Sequence, residues 1–153
     1  MRYPSISAFL NTRAGTLAKG PVALVMAEDE VEIDSTLAHL QTCGFRDVIL
    51  LAPEGVEVTP DHESAVHIVT HDVFAEAALP NAVNDMMQAR AGAWVHYCYY
   101  AEYPFYPFCE TRRIGEMLTF HTEERRSAML TYVVDLYAGD LGQNGNAVSL
   151  TDA

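Results

Sequence analysis

Four groups of residues in this chain are of types that could do chemistry. Glu28, Asp29 and Glu30 form an acidic run directly after an apolar stretch, and Glu102 closes the run Trp94-Val95-His96-Tyr97-Cys98-Tyr99-Tyr100-Ala101. Acids that follow a strand can border a ligand crevice beyond its carboxyl end, and they also complement helix N-termini; the sequence leaves both readings open for residues 28–30. Four of the nine basic residues, Arg112, Arg113, Arg125 and Arg126, fall within fifteen positions. Guanidinium groups bind phosphate bidentately without a metal. Arg125 and Arg126 read as a solvated helix face with Glu123 and Glu124, whereas Arg112 and Arg113 follow the aromatic stretch and are the pair expected beside a cleft.

Aromatic side chains are the third group. Eight of the fifteen lie between Trp94 and Phe108. Trp94, Tyr97 and Phe105 are expected in the core, while Tyr99, Tyr100, Tyr103, Tyr106 and Phe108 form an aromatic surface able to stack on a sugar or base or to anchor a partner. Pro104 and Pro107 break regular pairing, so the stretch 103–108 is hard to bury completely.

The histidines form the fourth group, and they give little. His67 and His71 share a strand face but are about 13 Å apart, too far to bind one ion. His121 and Glu124 are helix neighbours without a third ligand. Cys43, Cys98 and Cys109 make an odd count with no C-x-x-C spacing, which reads as reduced thiols rather than a disulfide framework or a zinc site. No metal ligand set is assigned. No G-x-S-x-G elbow or Gly-rich phosphate loop is present, and no residue stands out as a general base.

The elements that must position these groups can be read from the apolar pattern. Residues 22–27 are a short apolar run of the kind covered on both faces of a sheet. Residues 30–43 follow as an amphipathic helix with Gly44 as its cap, and 48–51 as a second strand. Residues 53–64 are acidic and turn-rich, and 66–70 are a third strand. Residues 74–90 are helical, divided at Pro80, and a fourth strand begins near Trp94. A loop over 101–112 leads to the longest helical pattern, 114–137, with Met117, Leu118, Phe120, Leu130, Val133, Val134 and Tyr137 available to one apolar face. Residues 1–20 give no clear element. This order predicts an α/β domain over residues 1–138, an open, mostly parallel, Rossmann-like sheet with helices on both faces and a long C-terminal helix, followed by a flexible tail over 139–153. In such folds ligands bind beyond the carboxyl ends of the strands. Glu28 to Glu30, the Pro53-Glu54-Gly55 turn and Glu102 collect at that edge.

Composition bounds the rest. The 153 residues, half hydrophobic and a fifth charged, suit one globular domain. The net charge of −12, with Lys19 as the single lysine, repels nucleic acid and anionic lipid. The sequence shows no signal peptide and no apolar run long enough to span a bilayer, so the cytoplasm is the default expectation.

Residues 94–103 resemble the strand on which family 2 glycosyltransferases carry the signature W-V-x-x-x-D-x-D-E-F. Trp94, Val95 and Glu102 match, Tyr103 stands at the aromatic position, and Tyr99 and Ala101 occupy the places of the two aspartates. Residues 25–45, V-M-A-E-D-E-V-E-I-D-S-T-L-A-H-L-Q-T-C-G-F, are similar to that family's opening strand and helix. Asn81-Ala82-Val83-Asn84 followed by Gly92-Ala93-Trp94 is similar to the helix leading into its metal-binding strand. The resemblance covers roughly residues 22–103. It implies the nucleotide-sugar-binding half of a GT-A fold, with Ala27, Glu28, Asp29 and Glu30 bordering the nucleotide, Asn84 nearby and Glu102 close to the sugar diphosphate. It also implies that the usual Mg²⁺ or Mn²⁺ ion is not held by its normal motif, leaving Arg112 and Arg113 as a cationic substitute or leaving the domain catalytically degenerate.

Two other readings stand beside it. The chain could be a non-catalytic interaction module that uses the aromatic loop 97–108 to bind a protein partner or a second copy of itself. The opening through Phe45 is also similar to response-regulator receiver domains, with Asp72 near the phosphoacceptor position, although no lysine follows Lys19.

Overall fold

The computed structural model describes residues 1–131, 137–145 and Ser149. Ten elements follow one another: β1 (Arg2–Tyr3), α1 (Ile6–Arg13), β2 (Val22–Met26), α2 (Ile33–Cys43), β3 (Asp47–Ala52), α3 (Pro60–Ala65), β4 (His67–Thr70), α4 (Ala78–Ala89), β5 (Val95–Tyr99) and α5 (Ile114–Glu123). The five strands form one sheet in the order β1-β4-β3-β2-β5, and every pairing is parallel. Parallel neighbours require crossovers, and helices supply them on both faces.

Strand alternation decides which helix packs where. Ala23 and Val25 of β2 with Val48 and Leu50 of β3 point toward Ile33, Leu37 and Leu40 of α2 and Ile114 and Leu118 of α5. Val22, Leu24 and Met26 with Ile49 and Leu51 point the other way, toward Ile6 and Phe9 of α1 and Leu79, Ala82 and Met86 of α4. All five residues of β2 are buried, as expected for a central strand covered on both faces. The result is an α/β/α sandwich with an open parallel sheet.

Several boundaries differ from the sequence reading. The helix expected over 30–43 begins at Ile33 because Glu32 takes a left-handed conformation, φ +53°. Pro80 does not divide the fourth helix; it lies in the first turn of α4, where a missing N–H costs nothing. Two helices were not read: α1, capped by the Ser5 side chain accepting from the Ala8 amide at 3.1 Å, and α3 in the acidic, turn-rich stretch. The long C-terminal helix stops at Glu123. There Arg125 turns left-handed (φ +58°), its amide donates to the Thr122 carbonyl at 2.9 Å, and the Arg126 amide donates to the His121 carbonyl at 2.9 Å. That paired arrangement is a Schellman stop formed without glycine. The remainder of the expected helix and tail falls partly on residues 132–136, 146–148 and 150–153, outside the described residues. No helix among the described residues is long and apolar enough to cross a membrane.

Candidate functional site

The chain passes from β2 through α2 to β3 on one side and later returns to place β5 on β2's other side. This reversal makes the carboxyl ends of β2 and β5 the topological switch point, where open α/β sheets bind ligands. Two segments meet there: residues 27–32 after β2 and residues 100–103 after β5.

Hydrogen bonds tie the two segments together. The Tyr100 amide donates to the Met26 carbonyl at 3.0 Å, and its hydroxyl donates to Asp29 Oδ2 at 3.3 Å. The Ala101 amide donates to Thr36 Oγ1 at 2.9 Å, and that hydroxyl donates in turn to the Glu32 carbonyl at 2.7 Å. Ser35 Oγ contacts the Glu32 carboxylate and lies 2.9 Å from the Tyr103 hydroxyl. Buried Thr36 thus bridges Glu32 (φ +53°) and Ala101 (φ +60°), two non-glycine residues in the left-handed region. Such strain persists only where surroundings over-determine it, and it concentrates at ligand sites.

The predicted acidic residues divide by role. Ala27 is buried and its amide donates to the Leu51 carbonyl, so only its backbone borders the crevice. Asp29 accepts from the Val31 amide at 2.8 Å besides Tyr100, and Glu30 accepts from the Glu57 amide at 3.0 Å. Both therefore shape the edge, whereas the Glu28 carboxylate is exposed and makes no hydrogen bond among the described residues. Glu102 folds back, and its Oε2 accepts the Tyr99 amide at 2.7 Å, closing an outward-facing N–H at the end of edge strand β5. Asn84 is exposed midway along α4, on the opposite face of the sheet from α2, and does not join the crevice.

The arginine expectation is overturned. After Tyr103 the chain runs the length of α2: His39 Nε2 lies 3.1 Å from the Pro104 carbonyl, the Tyr106 hydroxyl lies 2.9 Å from the Arg112 carbonyl and 3.4 Å from that of Cys43, and Arg113 packs against Gly44. Because α2 is antiparallel to the strands, this path carries Arg112 and Arg113 to the amino-terminal edge, away from the switch point.

The aromatic assignment is corrected as well. Tyr106, expected at the surface, is 2% exposed and belongs to the core between α2 and α5. Tyr97 and Phe105, expected in the core, are 56% and 59% exposed. Trp94 is half-buried, its indole N–H donating to Thr122 Oγ1 at 2.9 Å. Tyr99 and Phe108 are exposed as expected, and Tyr100 and Tyr103 lie partly buried at the crevice.

A divalent ion does not fit the residues present. Tyr99 and Ala101 offer no carboxylate at the two positions where the resemblance needs them, and among the described residues no three His, Cys, Asp or Glu side chains converge as a metal site. The segments 27–32, 53–59, 71–77 and 100–103, which leave the carboxyl ends of β2 to β5, contain nine carboxylates and no lysine or arginine. Chemically the edge can accept hydrogen bonds from hydroxyl or amide donors and can stack rings, and it repels bare phosphate.

No protein-family model, curated protein or solved structure matches this chain.

Proposed function

We propose that this chain is the nucleotide-sugar-binding half of a protein of the family 2 glycosyltransferase type, binding its ligand in the β2/β5 crevice without a metal ion. The observation that carries the reading is the convergence of the acidic turn with strained Glu32 and Ala101 at the topological switch point. The strand order supports it, since β4-β3-β2-β5 is the 3-2-1-4 half of a Rossmann-type sheet. Carboxylates such as that of Glu28 accept from ribose and sugar hydroxyls, and the diphosphate points outward to water. No residue at the crevice is placed as a general base, so no transfer step is assigned.

Calorimetric titration with UDP-sugars, GDP-sugars, uridine and guanosine, with and without Mn²⁺, tests the proposal. Saturable binding of a nucleotide sugar that ignores Mn²⁺ and weakens in Glu28→Gln supports it. Binding that requires Mn²⁺ overturns the metal-free arrangement, and no binding in either condition overturns the nucleotide-sugar reading.

A second reading, a partner surface formed by Tyr97, Tyr99, Phe105 and Phe108, is favoured by their exposure of 42–70%. For a homo-oligomer it predicts concentration-dependent mass in sedimentation that is lost in Tyr97→Ser/Phe108→Ser; a constant monomer mass overturns that form. The receiver-like reading is weighed down by strand order. Receiver sheets run 2-1-3-4-5, with the third strand beside the first, whereas β4 pairs with β3 and β1.

A further inference from the structure

At the amino-terminal edge of the sheet, opposite the carboxylate-rich loops, lies an open groove of about 1060 Å³. Four cationic side chains line it, each from a different segment: Lys19 before β2, Arg46 between α2 and β3, Arg90 after α4 and Arg113 before α5. The chain holds 21 acidic residues against nine basic ones. Even so, among the described residues the only Lys or Arg paired with a carboxylate is Arg2, with Glu63 at 2.8 Å. Collecting unpaired like charges in one concavity destabilises the fold by self-repulsion.

Helix ends account for part of this. Arg90 closes α4 and donates to the Ala14 and Ala18 carbonyls at 3.2 and 2.9 Å, as expected of a cation at a helix C-terminus. Lys19 and Arg46 are different, because both are exposed and neither side chain makes a hydrogen bond or ion pair among the described residues. Glu116 and Glu123 also line the groove, and Glu116 Oε2 is engaged by the Arg113 amide at 3.0 Å. The lining leaves room, since a methyl group added at Gly15, Gly20 or Gly92 meets nothing within 4 Å.

We infer that this groove binds a small polyanion of the oligophosphate type, held jointly by Lys19, Arg46, Arg90 and Arg113. Cations supplied by separate segments around one groove match an anion whose charges are spread along its length, and the guanidinium fork matches phosphate oxygens in pairs. The site lies at the edge opposite the β2/β5 crevice and does not depend on the nucleotide-sugar reading.

Inorganic triphosphate is the probe, titrated by calorimetry in metal-free buffer against NaCl of matched ionic strength. Saturable 1:1 binding is expected, weakened at least tenfold in Lys19→Gln/Arg46→Gln and unchanged in Glu76→Gln at the other edge. Thermal melts give a second readout: without the anion the double variant melts at or above the parent temperature, and with triphosphate the parent gains more. Absence of saturable binding, binding unaltered in the double variant, or a double variant that melts lower without the anion overturns the proposal.

Discussion

His96 on β5 stacks on Phe45 with ring centroids 5.4 Å apart, and its Nε2 is buried without a hydrogen-bond partner. Burial pushes its pKa down to about 4 from an ordinary 6.5. The unfolded chain therefore binds the proton first, and the stability contributed by neutral His96 is complete above pH 6.5 and lost as pH falls toward 4. The loss is about 3 kcal/mol from the size of the shift. His96→Phe should flatten the stability curve across that window, which urea unfolding at a series of pH values measures. A slope unchanged from the parent would mean another group governs it. Asp34 acts at lower pH. Burial raises its pKa, but the hydrogen bonds from His62 at 2.9 Å and Thr59 outweigh this and hold it below 3.8, so its contribution is lost only in stronger acid. At the crevice, Thr36→Val keeps shape but leaves the Ala101 amide without its acceptor, at a cost of about 1–3 kcal/mol. Proteolysis within residues 100–108 should then accelerate. The meeting of the acidic turn and the Tyr100 to Glu102 stretch at one sheet edge was legible because strand ends can be read from apolar runs. The destination of Arg112 and Arg113 was not, because nothing in residues 104–111 announces that the chain lies along α2.

Among the elements, the two Schellman stops make a natural pair. Gly44, at φ +101°, ends α2, with the Phe45 amide reaching the Leu40 carbonyl at 3.2 Å. A Cβ there also meets Arg113 Cβ at 3.0 Å, so Gly44→Ala should cost about 1–2 kcal/mol, read as a lowered urea midpoint. Arg125 takes the same left-handed position after α5 without being glycine. Arg125→Gly should therefore raise stability, by up to about 1 kcal/mol. This contrast explains what the pattern could reveal. Gly44 marked the end of α2 in the sequence, whereas α5 ends at an arginine, and the apolar spacing beyond it invited a longer helix. Central strands β2 and β3 were plain because double-sided burial leaves uninterrupted apolar runs. The helix α1 was hidden by its mixed composition, with only Ile6 and Phe9 buried.

Over the whole molecule, charge is sorted by sheet edge. Helices that cross a parallel sheet all present their N-termini at the strands' carboxyl edge, which favours acids there, and their C-termini at the other edge, which favours bases. The nine carboxylates and the groove cations Lys19, Arg46 and Arg90 follow that division, whereas Arg113 stands at the N-cap of α5, which begins at the amino edge. Neutralising Glu28 and Glu54, both exposed and without hydrogen bonds among the described residues, should raise stability by a few tenths of a kcal/mol at low salt, and the gain should vanish as salt screens the edge. Melting temperatures of Glu28→Gln/Glu54→Gln across an ionic-strength series provide the check.

The sheet order also has a kinetic consequence. The β2/β3 pairing joins segments linked by one helix, but β5 reaches β2 only after the chain has passed through β3, β4 and α4, so that Val22 comes to lie beside Val95. β1 likewise waits for β4, with Arg2 beside Ile68. Loop closure delays such distant partners. The central ladder should form first and open last, and the crevice between β2 and β5 should be assembled at the end of folding. Pulse-labelled amide exchange should accordingly protect Leu24 and Leu50 before Tyr100, whose bond to Met26 closes the site.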